Sequence, residues 1–262
     1  MGLMAKLRAL ALGADPASKL KILFFTWSHV KRRLSHGLDI QVKIRKFGRT
    51  CPFTFRDASD LGAFKEIFLG DVYGGEIDGE PDVILDLGSN CGLSVIYFKL
   101  RYPAARVYAF EPDPASFEKL TMNAGHLEGV RLFNQAIAGK GGRVRFFVNP
   151  EDSLSASLRA RAEGQPSVEV EARTLDEVME ELSIGEVGLL KFDIEGAELE
   201  ALRGFRNMGR VRNLMGEVHP DLMGGTAGEF MSLLEGFEAK IKRTGPERFT
   251  VTARRRRQAA GG

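Results

Sequence analysis

Three carboxylates and a histidine lie close together in the second half of the sequence. Asp193 and Glu195 stand just before a glycine, and Glu217 and His219 follow after a further apolar segment. An unperturbed histidine titrates near neutral pH, so His219 is the strongest candidate for a general base, with Glu217 or Asp193 orienting it or replacing it. Glu195 and His219 are also candidates for contact with a substrate. Side chains of these types can take a proton from a hydroxyl group during a displacement reaction.

The same side chains have simpler interpretations. His219 precedes Pro220 and could be a core or helix-capping histidine, and Glu195 could be a favourable charge at the start of a helix. Carboxylates also suit Mg²⁺ or Ca²⁺, so a divalent ion that orients an oxygen atom is an alternative. A site without metal is the favoured expectation, and no spacing of cysteine and histidine indicates zinc.

A second set of candidates occupies one loop, whose sequence is Asp86-Leu87-Gly88-Ser89-Asn90-Cys91-Gly92. Gly88 and Gly92 allow a tight turn and let a ligand approach the backbone. A pyrophosphate-binding turn would have glycine in place of Asn90 and Leu93, so the loop does not match a dinucleotide site. The Asp86 carboxylate would repel a diphosphate and attract a cation. S-adenosylmethionine, which carries an ammonium and a sulfonium group, fits these properties.

Glu111 ends the next apolar segment and directly precedes Pro112. An acidic side chain about 20 residues after a glycine turn can accept hydrogen bonds from an adenosine ribose. In the alternative interpretation Glu111 only leads into a helix that begins at Pro114 and is capped by Asp113. The predicted donor-binding residues are Asp86, Gly88, Ser89, Asn90, Gly92, Glu111, Pro112 and Asp193.

Buried strands are needed to position these candidate site residues. Apolar runs that alternate with helical periodicity predict an α/β fold with a doubly wound, mainly parallel sheet. The strands are predicted at Val83–Leu87, Arg106–Phe110, Val130–Asn134, Gly188–Phe192 and Asn213–Val218. Helices are predicted to start near Gly92, Pro114, Leu175, Ala197 and Gly225. Because the carboxyl ends of parallel strands share one edge, the candidates should converge there.

Further strands are predicted in pairs. Arg143–Val148 and Ser167–Ala172 alternate in polarity and predict an inserted β-ribbon, and Phe237–Arg243 with Arg248–Ala253 predicts an antiparallel C-terminal hairpin. Residues 1–59 are predicted to form a basic extension of helices and a strand pair, residues 60–253 the catalytic domain, beginning with a helix at 60–73, and residues 254–262 a disordered tail.

Composition limits the partners and the compartment. The net charge of +2 gives no reason to expect a nucleic-acid partner. The first 50 residues contain only Asp15 and Asp39 as acids, so this basic segment could contact an anionic partner or a membrane surface, or simply be a solvated face. No apolar run is long enough to cross a bilayer, and a signal peptide is not expected. Cys51 and Cys91 cannot build a disulfide framework, which favours a cytoplasmic location.

Taken together, the motifs resemble those of the FkbM-type methyltransferases. The resemblance covers roughly Asp60 to His219 and rests on the 86–92 loop, Phe110-Glu111-Pro112, the segment 190–198 and Glu217-Val218-His219. It implies a class I methyltransferase fold, S-adenosylmethionine as the donor and, usually, transfer to a hydroxyl oxygen of a sugar or secondary metabolite.

The resemblance also implies roles for particular residues. The first motif would hold the methionine end of the donor, Glu111 the ribose, and the Asp193 strand end would face the transferred methyl group. Ser153, Ser155 and Ser157 loosely match serines that could contact adenine or the acceptor, and a solvated loop is the alternative. The basic N-terminal segment has no counterpart in this resemblance.

Three other functions are weighed against transfer to a hydroxyl group. An amine acceptor would need less help from a base, so N-methyl transfer is the nearest alternative. A nicotinamide-dependent oxidoreductase would share the fold and Glu111, but the pyrophosphate glycines are missing. A donor-binding protein without activity could act as a partner or scaffold and use the basic segment for docking.

Overall fold

A computed structural model describes residues 3–27, 39–148, 157–159, 163–245 and 247–256. The strands are β1 (Ile40–Lys46), β2 (Arg49–Phe55), β3 (Val83–Leu87), β4 (Arg106–Phe110), β5 (Val130–Phe133), β6 (Ala136–Ile137), β7 (Gly142–Phe147), β8 (Ser167–Arg173), β9 (Leu189–Phe192), β10 (Asn213–Val218), β11 (Phe237–Arg243) and β12 (Phe249–Arg255). The helices are α1 (Leu3–Leu12), α2 (Pro16–Trp27), α3 (Ala58–Phe64), α4 (Leu93–Arg101), α5 (Pro114–Ala124), α6 (Leu175–Glu181), α7 (Glu198–Arg203) and α8 (Ala227–Ser232), with a π turn at Lys65–Leu69 and a 3-10 turn at Arg206–Arg210.

The centre of the molecule is a seven-stranded sheet in the order β5-β4-β3-β9-β10-β12-β11. Strands β5 to β10 in this order run parallel, and β12 and β11 join antiparallel to β10 and to each other. The chain starts at β3, winds outward to β5, and then returns to β9 and winds the other way. This arrangement confirms the predicted doubly wound, mainly parallel sheet with an antiparallel C-terminal hairpin.

Both faces of the sheet are covered, as the unbroken apolar character of its central strands requires. Ile84 of β3 points into a core shared with α4, α5 and the N-terminal elements. Its neighbours Val83 and Leu85 point into the opposite core, which contains residues of α6, α7 and α8. Successive side chains of a strand alternate between faces, so β3 contributes to both cores.

The N-terminal elements pack onto the first of these cores. Helices α1 and α2 and the antiparallel pair β1–β2 match the predicted extension, and Phe53 and Phe55 of β2 are buried beside Phe64 of α3. The predicted helix at 60–73 is shorter in the structure, because α3 ends at Phe64 and the chain continues as a π turn. The division at residue 59/60 stays a prediction.

The predicted ribbon is a three-stranded sheet in the order β6-β8-β7. β12 continues two residues into the predicted tail, and the Arg255 amide donates to the carbonyl of Arg212. Residues 257–262, the basic run 31–33, Ser153 and Ser155 lie outside the described residues. Within the described part of the chain, no helix combines the length and the apolar character needed to cross a membrane.

Candidate active site at the carboxyl edge of the sheet

The loops that follow β3, β4 and β9 meet where the strand order reverses. The chain leaves β3 toward β4 on one side, while β9 lies on the other side, and this divergence opens a crevice at the carboxyl edge. Backbone hydrogen bonds join the three loops: the Gly88 amide donates to the Phe110 carbonyl at 2.9 Å, and the Asp193 amide donates to the Leu87 carbonyl at 3.0 Å. The predicted site loops are therefore held against one another.

Two glycines in the 86–92 loop are required by its path. Gly88 has a φ of +75°, and a Cβ atom there would lie 1.9 Å from the Asp193 carbonyl oxygen. Gly92 has a φ of +92° at the start of α4, and its Cβ would lie 3.1 Å from Leu120. Any other residue at position 88 would separate this loop from the one after β9.

Asp86 lies beneath the loop rather than in the crevice. It is fully buried, and Lys191, its partner in the β3–β9 register, lies 3.0 Å from its Oδ1. Ser94 Oγ donates to Asp86 Oδ2 at 2.6 Å. Lys191 Nζ also donates to the carbonyls of Gly88, at 2.6 Å, and Leu87, at 3.1 Å. The negative charge of Asp86, which was predicted to attract a cationic ligand, is thus balanced by Lys191 inside the protein.

The Glu111 carboxylate links the loop after β4 to the 86–92 loop. Its carboxylate accepts the Asn90 amide at 2.8 Å and the Asp113 amide at 2.9 Å. Burial raises the pKa of Glu111 to about 7, against the opposing effect of these two amides. Asp113 caps α5 by accepting the Ser116 amide, so the helix-approach interpretation also describes this segment correctly.

A cavity opens beside these loops. Apolar side chains form most of its wall, and Glu111, which follows β4, and Gln135, which follows β5, lie on it. Pro112, Asp193 and Glu195 also line it. An apolar wall with a carboxylate beside it suits a nucleoside, whose base is apolar on its faces and whose ribose carries two hydroxyl donors. We call this space the first cavity.

A second cavity lies on the other side of the 86–92 loop. It shares Gly88, Asn90 and Asp193 with the first cavity, so the two spaces adjoin. Its polar groups include Glu66 of the π turn and Lys191. Burial, with the charges of Asp193 and Glu217, raises the pKa of Glu66 to about 7. One elongated ligand with a nucleoside end and a charged end could therefore occupy both cavities.

His219 is fully buried at the end of β10. Its Nδ1 lies 2.8 Å from Glu198 Oε1, and its Nε2 faces Glu195 Oε2 at 3.5 Å, Glu217 Oε2 at 3.8 Å and Asp193 Oδ1 at 4.0 Å. Burial by itself would lower the pKa of His219, but the hydrogen bond and charge of Glu198, with the charges of Glu195 and Asp193, raise it to about 9. The predicted acidic cluster is thus assembled around the imidazole.

The predicted residues divide into two groups. The first cavity is lined by Gly88, Asn90, Glu111, Pro112, Asp193 and Glu195, and Ser89 lines the second. A further four are not part of either wall: Asp86, Gly92, Glu217 and His219. The roles of all these residues in donor binding or proton transfer stay predictions.

Sequence reasoning missed three ionisable side chains of the site. Lys191 lies in the segment 190–198, and a lysine inside a buried strand is a signal of a carboxylate partner. Glu198 stands in the same motif and is the fully buried partner of His219. Glu66 precedes the 86–92 loop by about twenty residues. Its position beside the loop depends on how the π turn packs, and no local pattern indicates that packing.

Comparison with known proteins places these features in context. The family signature described as Methyltransferase FkbM domain matches residues 86–238, which contain the end of β3, all of β4 to β10 and most of the site. The 2-O-methyltransferase NoeI of Sinorhizobium fredii is 33% identical over 195 residues, covering 67% of this chain and 75% of the relative. The 31-O-demethyl-FK506 methyltransferase FkbM of Streptomyces tacrolimicus is 27% identical over 187 residues, covering 59% and 71%. The hexuronic acid methyltransferase AglP of Haloferax volcanii is 29% identical over 142 residues, covering 53% and 57%.

Proposed function

Because the chain belongs to the FkbM methyltransferase family, we propose that it transfers the methyl group of S-adenosylmethionine to a hydroxyl oxygen of a sugar, glycan or secondary metabolite. It is an S-adenosylmethionine-dependent methyltransferase with the class I fold. The observation that carries the proposal is the pair of adjoining cavities, of which one is lined by the carboxylate of Glu111 and the other by that of Glu66. The names of three relatives support an oxygen or sugar acceptor.

The first cavity would hold the adenosine. The base would lie against its apolar wall, and the ribose hydroxyls would donate to Glu111, whose carboxylate already accepts two backbone amides. Two further donors on the same anion add charge-assisted hydrogen bonds, which are about twice as strong as neutral ones. In this assignment Asn90 and Pro112, which line the first cavity, contact the nucleoside, in agreement with their predicted role in donor binding.

The second cavity would hold the methionine end. Its ammonium group would approach the carboxylate of Glu66, which lines this cavity together with Lys191. A bound cation would favour the ionised form of Glu66. Gly88 and Ser89 would lie along the chain that connects the two ends. We assign Glu66 as a donor-binding residue beyond those predicted from the sequence.

Asp193 would then lie beside the transferred methyl group, because it lines both cavities where they adjoin. The acceptor oxygen attacks the methyl carbon, the carbon–sulfur bond breaks, and its electron pair remains on sulfur as neutral S-adenosylhomocysteine. The hydroxyl proton passes to a carboxylate, and Asp193 is the best placed, since its side chain is one-third exposed whereas His219 is fully buried. We propose that Glu217 and His219 position the acceptor-side carboxylates.

The first experiment tests the two-cavity placement. Calorimetry with S-adenosylhomocysteine and with 5′-methylthioadenosine, which lacks the amino acid group, should separate the two ends of the donor. Glu66→Gln should weaken S-adenosylhomocysteine at least ten-fold and leave methylthioadenosine unchanged, while Glu128→Gln, an exposed control, should change neither. Equal affinity of both ligands for all three proteins would contradict the placement.

The second experiment tests the acceptor. The protein is incubated with S-adenosylmethionine labelled in the methyl group and with panels of hydroxylated sugars and of amines. Label in a sugar ether, with release of S-adenosylhomocysteine, supports the proposal. Label only in amines would favour N-methyl transfer, and donor binding without any S-adenosylhomocysteine would favour a non-catalytic partner.

A cytoplasmic location is part of the proposal and rests on the two buried free cysteines, Cys51 and Cys91.

A further inference from the structure

The buried imidazole of His219 has one nitrogen with a fixed partner and one without a hydrogen bond. Nδ1 is held by Glu198, and both Glu198 oxygens also accept the Gly196 amide, at 3.0 and 3.1 Å. Nε2 is buried and makes no hydrogen bond to the described residues. It points toward Asp193, Glu195 and Glu217, whose nearest oxygens are 3.5 to 4.0 Å away.

These separations are too long for direct hydrogen bonds but suit ligands that share one ion. Nitrogen and oxygen atoms that bind a metal at about 2.1 Å with a tetrahedral angle lie roughly 3.4 Å apart, and wider angles give longer separations. The Nε2 to Glu195 distance of 3.5 Å is close to the tetrahedral value, and the 4.0 Å distance to Asp193 corresponds to a wider angle. The ligand atoms of Asp193, Glu195 and His219 all lie within 4.8 Å of one another.

The surroundings of His219 follow the pattern of a metal-binding histidine. Such histidines donate their other ring N–H to a carboxylate or carbonyl, which fixes the ring and the tautomer. Glu198 is fully buried and occupies this outer position. Arg248 lies near the cluster, where the charges of Glu195 and Glu217 act on it, and its guanidinium is 3.0 Å from Asp221. The geometry points to a divalent metal site formed by Asp193, Glu195 and His219, with Glu217 beside it.

We infer that this site takes a first-row divalent ion such as Mn²⁺ or Zn²⁺, because imidazole nitrogen and carboxylate oxygen together suit these ions better than Mg²⁺ or Ca²⁺. This inference rests on the proposed function, in which Asp193 lies at the methyl-transfer point. An ion there would bind the acceptor oxygen, orient it toward the methyl group and lower the pKa of its hydroxyl. With Asp193 holding the ion, the hydroxyl proton would pass to Glu217, the carboxylate beside the site. Acceptors that offer two neighbouring oxygens, as sugars do, would be favoured.

The test measures metal binding without donor or acceptor. The full chain is treated with a chelator, freed of it, and titrated with Mn²⁺ while electron paramagnetic resonance measures the free ion. We expect one site per chain. Glu195→Gln should weaken it at least ten-fold, Glu198→Gln should weaken it about 10- to 100-fold through loss of the outer partner, and Glu238→Gln, an exposed control paired with Arg254, should have no effect.

The outcomes separate this inference from the proposed function. No Mn²⁺ site in the wild type, or equal binding by the Glu195 and Glu238 variants, overturns the metal site and leaves methyl transfer to be judged by the labelling experiment. A specific Mn²⁺ site in a protein that methylates no hydroxyl group would support the site but overturn the function. Circular dichroism of each variant excludes unfolding, and the Glu195 side chain is 17% exposed whereas those of His219 and Glu198 are fully buried.

Discussion

Replacement of Lys191 by methionine should strongly destabilise the protein and loosen the 86–92 loop. Lys191 and Asp86 are 1% and 0% exposed and lie 3.0 Å apart, so methionine would leave a buried carboxylate without its counter-ion. Loss of one partner of a buried ion pair costs about 3–5 kcal/mol. For a chain of this size, each kcal/mol lowers the melting temperature by about 2–4 °C, so we expect a fall of roughly 10 °C.

A double-mutant cycle tests the cause of this loss. Urea denaturation gives the free energy of unfolding for Lys191→Met, Asp86→Asn and the double variant, and the double variant should cost less than the sum of the single ones by about 2 kcal/mol or more. The exposed pair Arg254 and Glu238 is the matched control, and its variants should each cost less than about 1 kcal/mol. The stabilising role of the buried pair would be refuted if the losses of unfolding free energy at Asp86 and Lys191 were additive. It would also be refuted if they were no larger than the losses at the control pair.

Three further predictions concern the 86–92 loop and the side chains that contact it. Gly88→Ala should abolish S-adenosylhomocysteine binding in calorimetry, because its Cβ would meet a backbone oxygen, whereas Gly164→Ala, with the same φ of +75° and open space around it, should leave donor affinity unchanged. Glu111→Gln should weaken S-adenosylhomocysteine about 10- to 100-fold at pH 8. Since the pKa of Glu111 is about 7 and the ribose needs its carboxylate, wild-type affinity for 5′-methylthioadenosine, which lacks the group assigned to Glu66, should increase from pH 6 to pH 8, and a flat profile, or the same slope in the Gln variant, would contradict this role. Ser94→Ala removes the hydroxyl donor to buried Asp86 and should cost about 1–3 kcal/mol in urea denaturation, and a neutral effect would argue against that hydrogen bond.

The sequence predicted the sheet and the convergence of its loops because both follow from local patterns. Buried parallel strands are continuous apolar runs, and acids and glycines at their ends must share an edge. The pairing of side chains across strands depends instead on register, which no single segment contains. Asp86 was therefore assigned to the ligand, although the β3–β9 register places Lys191 directly opposite. His219 was placed at the correct edge, but its burial behind Glu195 depends on tertiary packing.

The pairing of Asp86 with Lys191 also has a consequence for catalysis. The donor loses its positive charge during transfer, because the sulfonium becomes a neutral thioether. An uncompensated carboxylate directly beneath the sulfur would stabilise the bound donor more than the transition state and would slow the chemical step. Lys191 removes that excess charge from beneath the loop, while Glu66 and Glu111 remain at the two ends of the proposed donor, where the charge does not change. The carboxylates at the ends can then contribute affinity without opposing methyl transfer.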